Sequence, residues 1–488
     1  MIDLTIHPET LARNIAIARE NKVVIPTFAH MLHPEQAPQP ILDRLSQVGL
    51  WDVDPVNLFR ITWKNQPVPK GGLFNAAPNY IELPPALTGV PARILCLVGK
   101  WFPTGCHKVG ASFGCLAPRL VTGQFDAASQ KAVWPSTGNY CRGGAFNSRL
   151  LGVHGVAILP AGMSQERFDW LASIDAEVVK TPGCESNVKE IFDKTNELSR
   201  DPSCMIFNQF AEMGNHLWHY KVTGAAVAEA FEAAKGPGDR LAGACFTSGS
   251  AGTIGCGDYL KEVYPTMKLA VGEAVQCPTI LNNGFGDHRV EGIGDKHVPW
   301  IHNVKNTDMV IDVDDNDAMA LLRLFNEPAG QEVLREAGME EDAIARLSLL
   351  GISGIANVLC CIKMAKYYEL TEHDVVCTVL TDSADMYRSR LAELTDQLGP
   401  YDAKAATVDY TLHLMGLKTD CMAELNYYDR KRVHNLKYYT WVEQQGKTSQ
   451  ELNDLWYGTE WADVHAQADA LDELICAFNE ESGVLKTL

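Results

Sequence analysis

A lysine stands in a glycine-containing turn in the first quarter of the chain, where its amine could act as a nucleophile. Lys108 follows Thr104, Gly105, Cys106 and His107 and precedes a segment with helical spacing. An amine at the positive end of a helix dipole loses its proton more readily, and the neutral amine can attack a carbonyl carbon. A surface lysine would give the same pattern, so this turn alone leaves both roles open.

A second turn offers a binding site for a carboxylate. It contains Ser136, Thr137, Gly138 and Asn139. Small hydroxyl and amide side chains at the start of a helix expose several backbone N–H groups, which can hold an anion. An ordinary helix cap uses the same residue types, and both interpretations stay open at this point.

A third turn, residues 249–253, has the composition of a phosphate site. It consists of Gly249, Ser250, Ala251, Gly252 and Thr253. Gly and Ala let the backbone approach a phosphate closely, and the hydroxyl groups add hydrogen bonds. The turn lacks the Gly-Lys-Ser/Thr ending of a nucleotide P-loop and the GxGxxG spacing of a dinucleotide fold. This pattern favours a small phosphomonoester over ATP or NAD.

The composition limits the classes of protein that these turns can belong to. The chain has 488 residues, 46% of them hydrophobic and 21% charged, which excludes a disordered regulator and a short binding module. Its 42 Lys and Arg against 61 Asp and Glu give a net charge of −19, so nucleic acid and anionic membranes are poor partners. The 14 cysteines are scattered without a CxxC pair, and we expect reduced thiols in a cytoplasmic protein.

Alternating apolar and amphipathic segments predict the elements that position the three turns. Short apolar runs separated by helical patterns indicate buried parallel strands and a doubly wound α/β fold. The runs are residues 92–98, 155–160, 176–179, 241–247, 268–274, 309–313 and 375–380. Ligands of such sheets bind beyond the carboxyl ends of the strands, where these turns lie. The first 90 residues indicate an arm packed on the body, and the last 90 indicate a helical extension.

A pyridoxal phosphate enzyme that acts on an amino acid requires an amine, a carboxylate site and a phosphate site. The three turns offer these groups in that chain order. The sequence resembles the fold-type II family of pyridoxal phosphate enzymes, which includes cysteine synthase, threonine dehydratase and the tryptophan synthase β chain. The resemblance covers residues 80–395 and rests on segments in the family's order. They are residues 81–95, 104–108, 136–139, 207–210 with 219–224, 249–253, 287–294, 349–357 and 381–387.

The resemblance implies a role for each matching residue. Lys108 matches the lysine that forms the Schiff base with pyridoxal 5'-phosphate, and Asn139 matches the residue that contacts the ring oxygen. Ser383 matches the serine that faces the pyridine nitrogen. The implied phosphate ligands are Gly249, Ser250, Ala251, Gly252 and Thr253, and the implied substrate contacts are Ser136, Thr137, Gly138 and Gln209.

The resemblance also implies an architecture. It implies a tryptophan synthase β-like fold of two domains with mostly parallel sheets, and a homodimer. We expect a large cofactor-binding domain from residues 1–118 and 225–400, a smaller substrate-side domain from residues 119–224, and a helical C-terminal extension from residues 401–488.

The matching residues predict β-elimination or β-replacement on a small amino acid, as in cysteine synthase. A hydroxyl partner such as Ser383 leaves the pyridine nitrogen largely unprotonated, which favours these reactions. A carboxylate partner, Asp382, would protonate the nitrogen and make racemisation or transamination plausible. Alternatives are a tryptophan synthase β-like or threonine synthase-like enzyme and a non-catalytic regulator. Ser136 replaces the glutamate of the β chain, which counts against indole chemistry.

Two histidine pairs have the spacing of metal ligands on one helical face. They are His30 with His33, and His216 with His219. Neither pair has a third ligand nearby in the sequence, and we therefore predict no metal.

Overall fold

The strands of this protein form two sheets that differ in size and in chain position. The computed structural model describes residues 1–183, 188–294 and 296–488, and for Val188 the backbone only. Strands β1, β2 and β7–β11 build one sheet, and β3–β6 build the other. In chain order, the strands are β1 (Tyr80–Leu83), β2 (Arg93–Val98), β3 (Lys131–Pro135), β4 (His154–Pro160), β5 (Glu177–Thr181), β6 (Cys204–Ile206), β7 (Arg240–Thr247), β8 (Lys268–Ala274), β9 (Met309–Val313), β10 (Asp374–Leu380) and β11 (Met422–Glu424).

The larger sheet has seven strands in the order β1-β2-β10-β7-β8-β9-β11. Its central strands are parallel, and the edge strands β1 and β11 run antiparallel to their neighbours. Every residue of β10 is buried, as expected for a parallel strand covered on both faces. Leu380 pairs with Val98, so β2 and β10 end at the same edge of the sheet.

The smaller sheet has four parallel strands in the order β5-β4-β3-β6. The chain enters it after β2 and the helix Lys108–Thr122, and it returns to the larger sheet at β7. Two of the three predicted binding turns therefore follow strands of the larger sheet, and residues 136–139 follow β3 of the smaller sheet.

Helices connect the strands and cover both sheets. The helix Ile352–Tyr367 is almost entirely buried and packs on β7, β9 and β10. The α-helices of the described residues are Pro8–Glu20, Phe28–Leu32, Gln39–Leu45, Pro85–Thr88, Lys108–Thr122, Asn139–Leu150, Gln165–Ser173, Val188–Leu198, Met213–Trp218, Gly224–Ala234, Cys256–Val263, Thr279–Asn282, Asp315–Asn326, Pro328–Glu336, Glu341–Arg346, Ile352–Tyr367, Arg388–Leu398, Ala403–Asp409, Tyr427–Lys437, Ser449–Tyr457 and Glu460–Ser482.

The α/β fold class predicted from the sequence is confirmed. All seven apolar runs are strands, namely β2, β4, β5 and β7–β10. The list of apolar runs did not include β1, β3, β6 and β11. Three of them, β1, β6 and β11, have only three or four residues and are not fully buried, so their apolar signal is weak. The five residues of β3 begin with Lys131, which shortens its apolar run.

The two ends of the chain pack against each other. Asn479, in the last long helix, makes two hydrogen bonds to the backbone of Ile25. Its Oδ1 accepts from the Ile25 N–H at 2.9 Å, and its Nδ2 donates to the Ile25 carbonyl at 2.7 Å. The backbone N–H groups of Phe28 and Ala29 donate to Asp472. The expected C-terminal extension is largely helical, and it also contributes β11 to the larger sheet. The three domain boundaries stay a prediction.

Within residues 1–183, 188–294 and 296–488, no single helix is both long enough and apolar enough to cross a membrane. The segments 341–349 and 352–367 reach that length and composition only together, and the chain bends by 118° between them.

Candidate active site

The helix Lys108–Thr122 places its first residue at the carboxyl edge of the larger sheet. β2 ends at Val98, and two short 3-10 turns lead to Lys108. In the second turn Thr104 and Gly105 both have a φ of 71°, a left-handed conformation that bends the chain back toward the sheet. The Lys108 amine therefore stands at the positive end of the helix dipole.

The side chains next to Lys108 are buried and uncharged. Burial and, to a smaller extent, the nearby Asp382 carboxylate raise the pKa of the Cys106 thiol to about 12. Burial lowers the pKa of His107 to about 3, and its ring lies against Trp63 and His219. These two neighbours are therefore a thiol and a neutral imidazole at pH 7, and neither competes with the Lys108 amine as a nucleophile.

The loop of residues 249–253 connects the end of β7 to the turn Thr253–Gly255 and the helix Cys256–Val263. A Cβ atom on Gly249 would lie 2.5 Å from the Gly292 carbonyl oxygen, and one on Gly252 would lie 2.0 Å from Asn215 Oδ1. Only glycine, which has no Cβ atom, allows these two close contacts. Ala251 has a φ of 64°, a conformation that favours glycine, so a side chain is tolerated here in a strained backbone.

Lys108 and the 249–253 loop face each other across one cavity. Its walls also include Thr247 from the end of β7, and Ser353 and Asn357 from the helix Ile352–Tyr367. The structure therefore brings together the predicted amine and the predicted glycine-lined anion site, and their roles stay predictions. Lys108, Gly249, Ser250, Ala251, Gly252 and Thr253 all line this cavity.

A second cavity adjoins the first and shares Lys108, Gly249 and Ser250 with it. Thr137 and Gln209 line its other side, together with Phe210, Gly292, Ile293 and Gly294. The structure thus brings two of the predicted substrate residues to the amine. Ser136 Oγ accepts the N–H of Gly138 at 3.1 Å, so Ser136 shapes the turn that carries Thr137.

The predicted ring contact, Asn139, bonds other side chains in this structure. Its Nδ2 donates to Asp382 Oδ2 at 2.7 Å, and its Oδ1 accepts from Arg142 Nη1 at 3.2 Å. Asp382 also accepts from the Tyr387 hydroxyl at 2.8 Å, and burial raises the pKa of this carboxyl. Asn139 is therefore part of a buried polar network beside the two cavities.

Thr381 lines the first cavity, whereas Asp382 and Ser383 are not among its lining residues. Ser383 Oγ lies 3.4 Å from Asp385 Oδ2. The predicted role of Ser383 therefore stays a prediction, and so does the alternative role of Asp382.

Two buried arginines, which the sequence interpretation did not assign, hold the substrate turn in place. Arg142 Nη2 donates to the Thr104 carbonyl at 2.6 Å, and this contact joins the helix Asn139–Leu150 to the turn before Lys108. Arg167 Nη1 donates to the Thr137 carbonyl at 2.7 Å. Both side chains are fully buried, and burial lowers the pKa of Arg142 to about 10.

Asn357 and Ser353 were also missed, although their segment was matched to the family. Asn357 Oδ1 accepts the Thr247 N–H at 2.7 Å, and its Nδ2 donates to the Val379 carbonyl at 2.8 Å, so this side chain bridges β7 and β10 at the cavity. Ser353 stands in the first turn of its helix. The resemblance matched segment 349–357 as a whole and implied no role for a single residue within it.

The lining of the cavities fits a phosphorylated cofactor with a carbonyl group. Ser353 Oγ and Gln209 Oε1 are buried without a hydrogen-bond partner among the described residues, and each lines one of the cavities. Buried polar atoms of native proteins are normally paired, so both positions indicate a bound polar group. Helices begin at Lys108 and at Ile352, and their positive ends favour a dianion in the space between them.

Comparison with known families agrees with this fit. The family of pyridoxal-phosphate dependent enzymes matches residues 102–382, which is more than half of the chain. The chain belongs to this family. Its dependence on pyridoxal phosphate and its class, a lyase or transferase, are therefore established at the level of the family, and the two predictions are confirmed.

Curated relatives include a cysteine synthase and a cystathionine beta-synthase. The chain is 31% identical to the cysteine synthase of Staphylococcus aureus over 258 residues, which cover 53% of this chain and 75% of that protein. It is 24% identical to the cystathionine beta-synthase of Saccharomyces cerevisiae over 321 residues, 64% of this chain and 60% of that one. The family of these relatives carries out β-replacement and β-elimination.

Solved structures share the fold. The O-acetylserine dependent cystathionine beta-synthase of Helicobacter pylori superposes with a TM-score of 0.54 at 22% identity, covering 64% of this chain and 95% of that chain. For O-ureido-L-serine synthase the TM-score is 0.55 at 19% identity, with 68% and 96% covered. These matches confirm the fold-type II, tryptophan synthase β-like architecture.

Proposed function

We propose that this protein catalyses β-elimination or β-replacement on a small amino acid, as the cysteine synthases among its relatives do. The observation that carries the proposal is the position of Lys108, which lines both the cavity of the 249–253 loop and the cavity of Thr137 and Gln209. One amine can thus serve a phosphate-bearing cofactor on one side and a substrate on the other.

Different residues of the chain act on the cofactor in one cavity and on the substrate in the other. When bound, pyridoxal phosphate supplies an aldehyde for the Lys108 amine and a ring that withdraws electrons from the substrate. Backbone N–H groups of the 249–253 loop hold the phosphate. The Lys108 amine removes the α proton of the substrate as a general base. Thr137 and the N–H groups around Gly138 hold the substrate carboxylate at the start of the helix Asn139–Leu150.

Ser383 is the proposed partner of the pyridine nitrogen, as the resemblance implies, and a hydroxyl partner leaves the nitrogen largely unprotonated, which favours elimination or replacement over transamination. The neighbouring Asp382 is fully buried, and its Oδ2 accepts hydrogen bonds from Asn139 and Tyr387. Its Oδ1 has no hydrogen-bond partner among the described residues, so Asp382 stays the alternative partner, one that would protonate the nitrogen.

The size of the substrate-side cavity supports a small substrate. Phe210 and Ile293 form its apolar wall, and its volume of about 20 Å³ holds roughly one water molecule. A small amino-acid side chain displaces these walls less than an indole would. The homodimer and the cytoplasmic location stay predictions.

A substrate screen on cofactor-reconstituted protein tests the proposal. O-acetylserine, serine, cysteine and threonine are added in turn, the cofactor absorbance is recorded, and pyruvate and sulfide are measured. We expect a spectral change and product with at least one amino acid that carries a β leaving group. An unchanged spectrum with all four would contradict catalysis and favour a regulator that retains the scaffold.

A further inference from the structure

Three side chains that could bind a metal meet behind the 249–253 loop, outside the two cavities. His216 belongs to the helix Met213–Trp218, Asp258 to the helix Cys256–Val263 and His465 to the last long helix, Glu460–Ser482. The Nε2 atoms of the two histidines are 3.0 Å apart. Asp258 Oδ2 lies 3.6 Å from His216 Nε2 and 3.7 Å from His465 Nε2.

The three distances match those between ligands of a tetrahedral zinc ion. Ligand atoms about 2.0–2.1 Å from a tetrahedral zinc ion lie about 3.3–3.4 Å from one another. A point about 0.6 Å out of the plane of the three atoms lies about 2.1 Å from each, which is the length of a Zn–N bond at a tetrahedral site. The rings of His216 and His465 are 6° from parallel with their centroids 5.2 Å apart, so a zinc ion at this point requires both rings to turn toward it.

Further contacts orient the three side chains. Asp258 accepts from Asn303 Nδ2 at 2.8 Å and from Asn306 Nδ2 at 2.7 Å. The ring of His465 stacks on Tyr220, with the ring centroids 3.6 Å apart and the planes 6° from parallel. Hydrogen-bonded carboxylates and fixed imidazoles are characteristic of the groups that surround metal ligands.

The electrostatics of the cluster also suit a cation. His216 and Asp258 are buried and the side chain of His465 is only 10% exposed. Two imidazoles and one buried carboxylate are a ligand set that Zn²⁺ binds.

We propose that His216, Asp258 and His465 bind a zinc ion that anchors the C-terminal extension to the body of the enzyme. A water molecule takes the fourth position. No sequence pattern indicates this site, because Asp258 and His465 lie far from His216 in the chain. His219, which has the spacing of a second ligand, is hydrogen-bonded to Thr223 instead.

The proposed site is connected to the cofactor cavity through the segment that carries His216. Asn215 Nδ2 donates to Ser250 Oγ at 3.1 Å, within the 249–253 loop. Gly255, just after this loop, leaves room for the His216 ring, because a Cβ atom there would lie 2.8 Å from His216 Nδ1. The zinc ion would therefore stabilise both the C-terminal helix and the back of the phosphate site.

Metal content of the purified full-length protein is the first test. We expect about one zinc ion per chain by mass spectrometry of the metals. The variant His465→Ala should lose it, and His465→Cys should retain it, because a thiolate also binds zinc. His154→Ala is the matched control, since His154 is a surface residue paired with Glu177, and it should keep the full content.

Cobalt substitution tests the geometry without any mutation. Metal-free wild-type protein is titrated with Co²⁺, and the visible absorption of a tetrahedral Co²⁺ complex is expected, with saturation at about one equivalent. Zinc-free purified protein that gives no such absorption with Co²⁺ and no rise in Tm with Zn²⁺ would overturn the proposal. The two imidazoles would then share only a hydrogen bond. None of these readouts depends on the enzyme's activity.

Discussion

The amide of Asn139 donates to the carboxylate of Asp382 over 2.7 Å, and this bond joins the two sheets of the enzyme. Asn139 follows β3 of the smaller sheet, whereas Asp382 follows β10 of the larger one. A Cβ atom on Gly351 would lie 1.9 Å from Asp382 Oδ1, so glycine is required for the carboxylate to reach this position. The relative position of the two cavity walls therefore depends on a buried polar contact.

Tyr387 is the second donor to Asp382, and its removal should weaken the connection between the sheets. The hydroxyl also accepts from Arg167 Nη2 at 3.1 Å. Tyr387→Phe removes one hydrogen-bond partner from the buried Asp382 carboxylate and one from the buried Arg167 guanidinium. This should lower the free energy of unfolding by about 1–3 kcal/mol. Urea denaturation measures the loss. The control Tyr428→Phe changes a hydroxyl on an 81% exposed side chain and should leave stability within about 0.5 kcal/mol. Equal stability of both variants would contradict the prediction.

The amine of Lys108 should account for both covalent cofactor binding and proton transfer. In Lys108→Ala the visible absorbance of the covalently attached cofactor is expected to disappear, and turnover should fall by at least about 10²–10⁴-fold. Lys189→Ala serves as control, since this lysine pairs with Asp193 on an exposed helix face. A visible band that persists unchanged in Lys108→Ala would show that another residue holds the cofactor.

Gly252 tests the phosphate role of the 249–253 loop. A Cβ atom at this position would lie 2.0 Å from Asn215 Oδ1, and Asn215 would have to give up its bond to Ser250. A clash of this kind costs about 1–3 kcal/mol. We expect Gly252→Ala to raise the Kd for pyridoxal phosphate by about 5- to 150-fold, measured by fluorescence titration.

Gly236→Ala is the matched control for that measurement. Its Cβ atom would make only an ordinary contact, 3.5 Å from Asp239 Oδ2. This variant should bind the cofactor as the wild type does. If both variants bind pyridoxal phosphate equally well, the 249–253 loop does not hold the phosphate.

The sequence predicted the elements and motifs whose signal is local. The buried parallel strands have continuous apolar runs, and the lysine and glycine turns follow them, so Lys108 and Gly249 could be placed at one sheet edge. The turn after β3 predicted Thr137 near the amine, and the family resemblance predicted Gln209 there; both line the adjoining cavity.

Contacts that depend on long-range packing could not be predicted. Arg142 and Arg167 have no local signal, because their function is to bond the backbone carbonyls of Thr104 and Thr137 across the fold. The short strand β11 is likewise defined by its pairing with β9 and not by its own composition. Such features follow from tertiary structure, which a single sequence does not encode in any local pattern.

His297 should make the protein lose stability in acid. The ring is fully buried against Phe210 and Trp441, and burial lowers its pKa to about 3. In the unfolded chain a histidine has a pKa of about 6.5, so between pH 6.5 and 3 the unfolded state binds a proton that the folded state does not. The stabilisation is fully present above pH 6.5 and is lost as the pH falls toward 3, by about 1.4 kcal/mol per pH unit. Urea unfolding from pH 4 to 7 measures how steeply the free energy of unfolding rises with pH. This slope should be smaller by that amount in His297→Phe, whereas the exposed-site variant His33→Phe should keep the wild-type slope. An unchanged slope in His297→Phe would mean that the buried ring is protonated in the folded enzyme.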